Sequence, residues 1–247
     1  MVIIGLQFGN AYLIKIMKIT AIKTSVFKEK QNLPQFIFKH LPVIKDGSII
    51  AISSKVAALW EGRTAPVSQM EKLIKKESTY SLKTAHCYFT IKDGMVMTNA
   101  GIDQSNIKNK IALLPKDSYK TAAKLRAALL KKYKIKNLGI ILTDSMILPL
   151  RAGVVAGAVG YSGFEGVKDC RGQKDLNGRK LKMTLVNIAD TLASASALMM
   201  GEGDEQSPLA LIENAPVKFT AKTDRNEIKY PLKKDLYYPF FKGILKK

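Results

Sequence analysis

Two short, unbroken apolar runs constrain this chain most. Ser48-Ile-Ile-Ala-Ile-Ser53 and Asn137-Leu-Gly-Ile-Ile-Leu-Thr143 have the length and continuous apolarity of strands buried inside a sheet. Each passes directly into polar residues, Ser54-Lys55 after the first and Asp144-Ser145 after the second. Sheets of the α/β kind gather ligands outside the carboxyl ends of their strands. Ser54 and Lys55 are therefore candidate phosphate contacts, although a lone Ser-Lys pair is a weak signal by itself. Asp144 is a candidate metal ligand.

The other organising stretch begins with a strand expected over Leu181 to Ile188. It leads into a small-residue apolar helix from Asp190 through Leu192, Ala193, Ala195, Ala197, Leu198 and Met199 to Met200. That helix breaks at Gly201-Glu202-Gly203-Asp204-Glu205-Gln206. Glycines on both sides of Glu202 let backbone approach a ligand while a carboxylate is presented. Acids this dense on a basic chain suit a hard divalent cation. A glycine-capped helix end followed by a solvated acidic loop fits the same residues.

The remaining elements follow from local pattern. A first strand is expected from Met17, leaving residues 1–16 as an N-terminal extension that is too short to span a membrane. A short helix is expected over Ser68 to Lys76. His86 to Ile91 and Met95 to Thr98 read as a hairpin about Asp93-Gly94. The polar segment Asn99-Ala-Gly-Ile-Asp103-Gln-Ser-Asn106 offers Asp103 as a metal ligand and Asn106 as a hydrogen bonder, or simply an Asx turn. Asp117-Ser118 should cap an amphipathic helix running to Tyr133. The small residues from Val154 to Gly163 predict tight packing. Arg151, and Arg171 and Arg179 in a polar loop beyond, could hold carboxylate or phosphate.

Forty Lys and Arg against 20 Asp and Glu give a net charge of +20, a field that attracts polyanions. The two cysteines, Cys87 and Cys170, lack Cys-x-x-Cys spacing and fit a reducing, cytoplasmic setting. Two histidines, His40 and His86, give little basis for a zinc site or a Ser-His-Asp nucleophile. No RNA-recognition or helix-turn-helix signature accompanies the charge, so nucleic acid is not the expected partner.

Taken in order, NAGIDQSN (99–106), LTDS (142–145), RAGVVAGAVGYSG (151–163), GQKDLNGR (172–179) and ADTLASASALMMGEGDEQSP (189–208) resemble the coenzyme F420-0:gamma-glutamyl ligase family, as a divergent, bacterial-looking member. The resemblance spans residues 43–213, with 17–247 as one catalytic domain. It implies an α+β, mixed α/β fold, an intertwined homodimer, and GTP-dependent amide-bond formation with Mn²⁺ or Mg²⁺. Metal ligands carried over by the resemblance are Asp103, Asp144, Ser145 and Glu202. Nucleotide contacts are Ser54, Lys55, Asn106 and the loop Met200, Gly201, Glu202, Gly203, Asp204, Glu205, Gln206 and Ser207. Asp144 and Arg151 are the catalytic candidates, and Arg171 and Arg179 the substrate-binding ones.

The resemblance also implies a reaction. An acceptor carboxylate takes the nucleotide γ-phosphate, and L-glutamate then displaces phosphate from the acyl phosphate. F420-0, a folate and an acidic protein terminus are the candidate acceptors. The pattern departs from the family in three places. Leu148-Pro149-Leu150 stand where a Gly-Arg pair is typical, Leu59 replaces a lysine, and Thr24 to Phe27 match no nucleotide-contacting segment. These losses of positive charge lead to an expectation of weak activity on F420-0. The alternative reading is a non-catalytic basic protein that binds nucleic acid or ribosomes on the same scaffold.

Overall fold

The computed structural model describes residues 16–243 and, ahead of them, the backbone of short strand segments. The extension expected over residues 1–16 therefore lies largely outside the described residues. In chain order the elements are β1 (Val2–Ile4), β2 (Gln7–Phe8), β3 (Ala11–Tyr12), β4 (Lys15–Ile22), α1 (Leu33–His40), β5 (Ser48–Ser53) and α2 (Ser54–Glu61). Then come β6 (Thr64–Pro66), α3 (Met70–Glu77), β7 (Tyr80–Lys83), β8 (Tyr88–Lys92), β9 (Met95–Thr98) and β10 (Lys110–Ala112). The last stretch holds α4 (Ser118–Tyr133), β11 (Leu138–Ile147), β12 (Val154–Ser162), β13 (Val167–Asp169), β14 (Leu185–Asn187), α5 (Ile188–Met200), β15 (Leu209–Glu213) and α6 (Tyr238–Phe241).

The central sheet has six strands in the order β1-β4-β15-β5-β11-β12. β5 and β11 run parallel, and the other neighbours are antiparallel. The two apolar runs are thus adjacent inner strands, and alternation sends their side chains to opposite faces. Ile50, Ile52, Leu138, Ile140, Leu142 and Leu209 pack beneath α1, α2 and α4. Ile49, Ala51, Ile141, Ala210 and Ile212 pack against α5 on the other face. Both faces are covered, which is why the runs are apolar at every position instead of every second one. The result is a mixed α/β architecture. A smaller cluster, Ile74, Ile102, Ile111 and Leu113, carries α3 and the β7–β8–β9 meander at one side.

Local signals held where the chemistry is local. Asp117 caps α4 by accepting from the Lys120 N–H at 3.1 Å, an interaction worth about 1 kcal/mol. The small-residue run from Val154 is β12, where a Cβ on Gly160 would lie 2.5 Å from the Ser118 backbone, so the start of α4 can sit directly on the strand. Three expectations need correction. The strand expected to come first, from Met17, is β4; it begins at Lys15 and follows three short strands. The strand expected over Leu181 to Ile188 shortens to Leu185–Asn187, because the preceding residues close a separate loop by the Lys174–Lys180 bridge. β11 does not end at Thr143 but runs on to Ile147, because β12 extends it as an antiparallel hairpin. No helix among the described residues is long and apolar enough to cross a membrane.

Candidate active site

Strand direction explains why segments remote in sequence meet. Ser53 lies beside Thr143 at the carboxyl ends of β5 and β11. β15 is antiparallel to both β4 and β5, and its first residue, Leu209, pairs with Ile22 and Ile52. The loop entering β15 therefore arrives at the same sheet edge at which β4 and β5 leave. Backbone bonds pin it there, from Ser53 N to Pro208 O and from Thr24 N to Gln206 O, both 2.9 Å. Beneath this edge opens a cavity of about 360 Å³.

Lys55, Asp103, Asn106, Asp144, Ser145 and the whole Met200–Ser207 loop line that cavity. Ser54, the first residue of α2, is buried, and its hydroxyl donates to Asp144 Oδ1 at 2.6 Å. It thus holds the carboxylate from behind. Asp144 sits within β11 at a register shift between Leu142 and Thr143, an irregularity of the kind that re-aims side chains beside active sites. Ser145 donates to Glu202 at 3.0 and 3.1 Å, which joins the strand to the glycine loop.

Asp103 arrives by another route. It follows a tight turn after β9. Asn99, Ala100 and Gly101 all take positive φ, and a Cβ on Gly101 would lie 2.6 Å from Leu114 Cγ. Only glycine fits there. Asp103 then bridges to Ala112 through paired backbone bonds. Its side chain does make an Asx turn, accepting from Ser105 N at 2.8 Å, and it also faces the cavity. The two readings of this segment are compatible. Asn106 donates to Gly203 O at 3.2 Å, closing the site between the two loops.

The electrostatics separate the acids. Burial pushes Asp144 up to about 7, against the Ser54 hydrogen bond, with the nearby Asp103 and Glu202 charges adding to the rise. Burial also acts on Asp103, but hydrogen bonds from Lys55 and Ser105 outweigh it and hold this carboxyl below its usual range. Among the described residues no three acidic, histidine or cysteine side chains stand close enough to close a metal shell. Mg²⁺ and similar ions are commonly held by one or two carboxylates plus substrate phosphates and water. The all-oxygen donors Asp103, Asp144, Ser145 and Glu202 fit that kind of site. Repulsion felt at Asp144 is what a divalent charge relieves.

The structure does not bring every candidate here. Arg151, Arg171 and Arg179 are exposed and do not line the cavity. Arg171 pairs with Asp169 at 2.6 Å, and Arg179 belongs to the Asp175 turn. Conversely, Thr24 to Phe27, which gave no sequence match, line the cavity, as does Leu59. Their signal was positional, since they follow a strand whose place in the sheet could not be read locally. Ser105 was also missed, although an Asp followed two residues later by Ser is the spacing of an Asx turn.

The F420-0:Gamma-glutamyl ligase family model matches residues 69–214, a span containing Asp103, Asn106, Asp144, Ser145 and Glu202. The coenzyme F420:L-glutamate ligase of Methanocaldococcus jannaschii is 33% identical over 244 residues, covering 90% of this chain and 96% of that protein. The protein of the same name from Methanopyrus kandleri is 32% identical over 190 residues, 68% of this chain and 75% of the relative. One from Methanococcus maripaludis is 44% identical over 138 residues, 56% of this chain and 55% of the relative. With this coverage, the chain belongs to the F420-0:gamma-glutamyl ligase family.

Proposed function

We propose that this protein is a nucleotide- and divalent-metal-dependent ligase that joins L-glutamate to a carboxylate acceptor through an amide bond. GTP is the proposed phosphoryl donor and Mn²⁺ or Mg²⁺ the proposed metal. One observation carries the reading. Asp103, Asp144, Ser145 and Glu202 share one cavity with Lys55 and Asn106, outside the carboxyl ends of two parallel strands. The relatives' names supply glutamate and an F420-type acceptor.

The chemistry would run in two displacements. An oxygen of the acceptor carboxylate attacks the γ-phosphorus and breaks its bond to the bridging β–γ oxygen, giving an acyl phosphate and the nucleoside diphosphate. The glutamate amine then attacks the acyl carbon, inorganic phosphate leaves with the bonding electron pair, and the amine sheds a proton. A divalent ion, when bound by Asp103, Asp144 and Glu202, would neutralise the transferring phosphoryl group. Lys55 and the Asn106 amide would orient the polyphosphate, and Ser54 would keep Asp144 aimed at the cavity. The apolar wall of Phe27, Val56 and Leu59 would exclude water from part of the cleft.

F420-0 is the proposed acceptor. Leu148, Pro149 and Leu150 were the main reason to expect weak use of it, yet they lie exposed on the β11–β12 turn, away from the cavity. A homodimer is part of the proposal. Exposed Leu148, Leu150, Leu176, Met183 and Leu198 supply apolar surface for it, and Arg151, Arg171 and Arg179 would serve substrate only across such an interface. A purely polyanion-binding protein would gain nothing from three carboxylates in its cleft. The test is incubation with labelled L-glutamate, Mn²⁺ and GTP or ATP against F420-0, a folate and an acidic peptide. Mass spectrometry should find one glutamate added to F420-0. No product with any acceptor or nucleotide would overturn the proposal.

A further inference from the structure

Two consecutive residues at the start of α2 secure two separate acids. Ser54 donates to Asp144, and Lys55 reaches across the cavity to the Asp103 loop. The Lys55 ammonium lies 2.5 Å from Asp103 Oδ2, 2.6 Å from Ser105 Oγ and 2.9 Å from Ser105 O. An ammonium has three protons to donate, so all three are committed to this loop. Asp103 is equally committed. Oδ1 accepts from Ser105 N at 2.8 Å, and Oδ2 accepts from Ser105 Oγ at 2.6 Å as well as from Lys55. Among the described residues, neither Asp144 nor Glu202 pairs with any basic side chain.

We infer that Lys55 and a divalent cation compete for Asp103, so that Lys55 is an internal counter-ion that metal must displace and that nucleotide phosphate draws away. This rests on the metal- and nucleotide-dependent function proposed above. A dication on Asp103 Oδ2 needs the lone pairs that Lys55 and Ser105 now hold, and it repels an ammonium at that distance. The lysine stem is flexible and its charge compact, so it can swing into the cleft without backbone movement. There its natural partner is polyphosphate. Metal binding to the nucleotide-free protein is therefore weakened by the lysine, and nucleotide binding lifts that penalty. By linkage the metal must strengthen the lysine's contact with nucleotide by the same factor.

The test is a titration of the full-length, nucleotide-free protein with Mn²⁺, following the electron paramagnetic resonance signal of the free ion. Lys55→Gln should bind Mn²⁺ about five- to tenfold more tightly than wild type, the size expected of a partly exposed charge-assisted bond. Lys55→Met should behave the same way, which covers a failure of the glutamine variant to fold. Lys55→Arg, which keeps the charge, should stay within about twofold of wild type. GTP binding in EDTA should weaken in the Gln and Met variants. Equal or weaker Mn²⁺ binding by both neutral variants overturns the competition and leaves the metal site standing. No Mn²⁺ binding by any of the proteins overturns the competition and the proposed metal dependence together.

Discussion

Replacing Asp144 by Asn should make the protein more stable and inactive, and the gain should depend on pH. Asn keeps the shape of the side chain and can still accept the 2.6 Å hydrogen bond from Ser54. What it loses is a charge that the fold disfavours, since burial raises this carboxyl from an ordinary 3.8 to about 7. A carboxyl raised on folding costs nothing below its unfolded pKa, where it is protonated in both states. The cost grows as pH climbs from about 4 to 7 and is complete above that. Taken at face value the rise is worth about 4 kcal/mol. The side chain is only partly exposed, and water reaching it reduces this to about 1–2 kcal/mol. For a chain of this size that corresponds to a melting point roughly 2–8 °C higher for the variant at pH 8. At pH 4 the two proteins should melt together. The assay is calorimetric melting in EDTA at both pH values, paired with glutamate incorporation, which should fall at least about a hundredfold if the carboxylate serves the phosphoryl transfer. A variant that is less stable than wild type at pH 8, or one that retains normal turnover, would refute the reasoning.

Gly101→Ala should destabilise by about 2–4 kcal/mol, combining positive φ with overpacking against Leu114, and the urea midpoint should drop accordingly. A chain starting at Met17 should fold and keep its activity, because every β4–β15 pair lies between Lys18 and Ile22; thermal melting would expose a large loss. Leu150→Asp and Leu198→Asp should shift sedimentation from dimer to monomer without altering the far-ultraviolet circular dichroism, and unchanged dimer mass would remove those residues from the interface.

How far the sequence could be read depended on the range of the interaction responsible. β5, α4, the β8–β9 hairpin and the Gly201 break of α5 are set by burial on both faces, a capping carboxylate, a two-residue turn and a glycine. The burial of β5 comes from distant helices, but its continuous apolar run, like the other three signals, can be read within a few residues. The acids of the site were legible too, because a carboxylate beside a buried run is chemically conspicuous. The length of β11 was not, since the stretch after Thr143 is a strand only because β12 returns along it. Thr24 to Phe27 were hidden for a similar reason. Nothing in Thr-Ser-Val-Phe announces a cavity wall. Their place comes from β4 pairing with β15, nearly two hundred residues later in the chain.

The same distinction bears on the acceptor. Leu148-Pro149-Leu150 and Leu59 looked alike in the sequence, each an apolar residue or segment where a cation was expected. In three dimensions they differ. The first is an exposed turn at the far end of a hairpin, while Leu59 faces the cavity from α2, one helical turn beyond Lys55. A lysine there would stand on the same helix face as Lys55, as residues four apart do, and would share whatever phosphate Lys55 takes. With leucine in its place, the basic side chain lining the cavity among the described residues is Lys55, which also neutralises Asp103 and, on the proposed function, would take the phosphate. On that proposal one cation would serve two anionic partners in turn, and the order of binding would matter. On the proposed function, Lys55→Gln and Lys55→Met should therefore remove most of the coupling between metal and nucleotide, by about the same factor as they tighten Mn²⁺ binding measured alone.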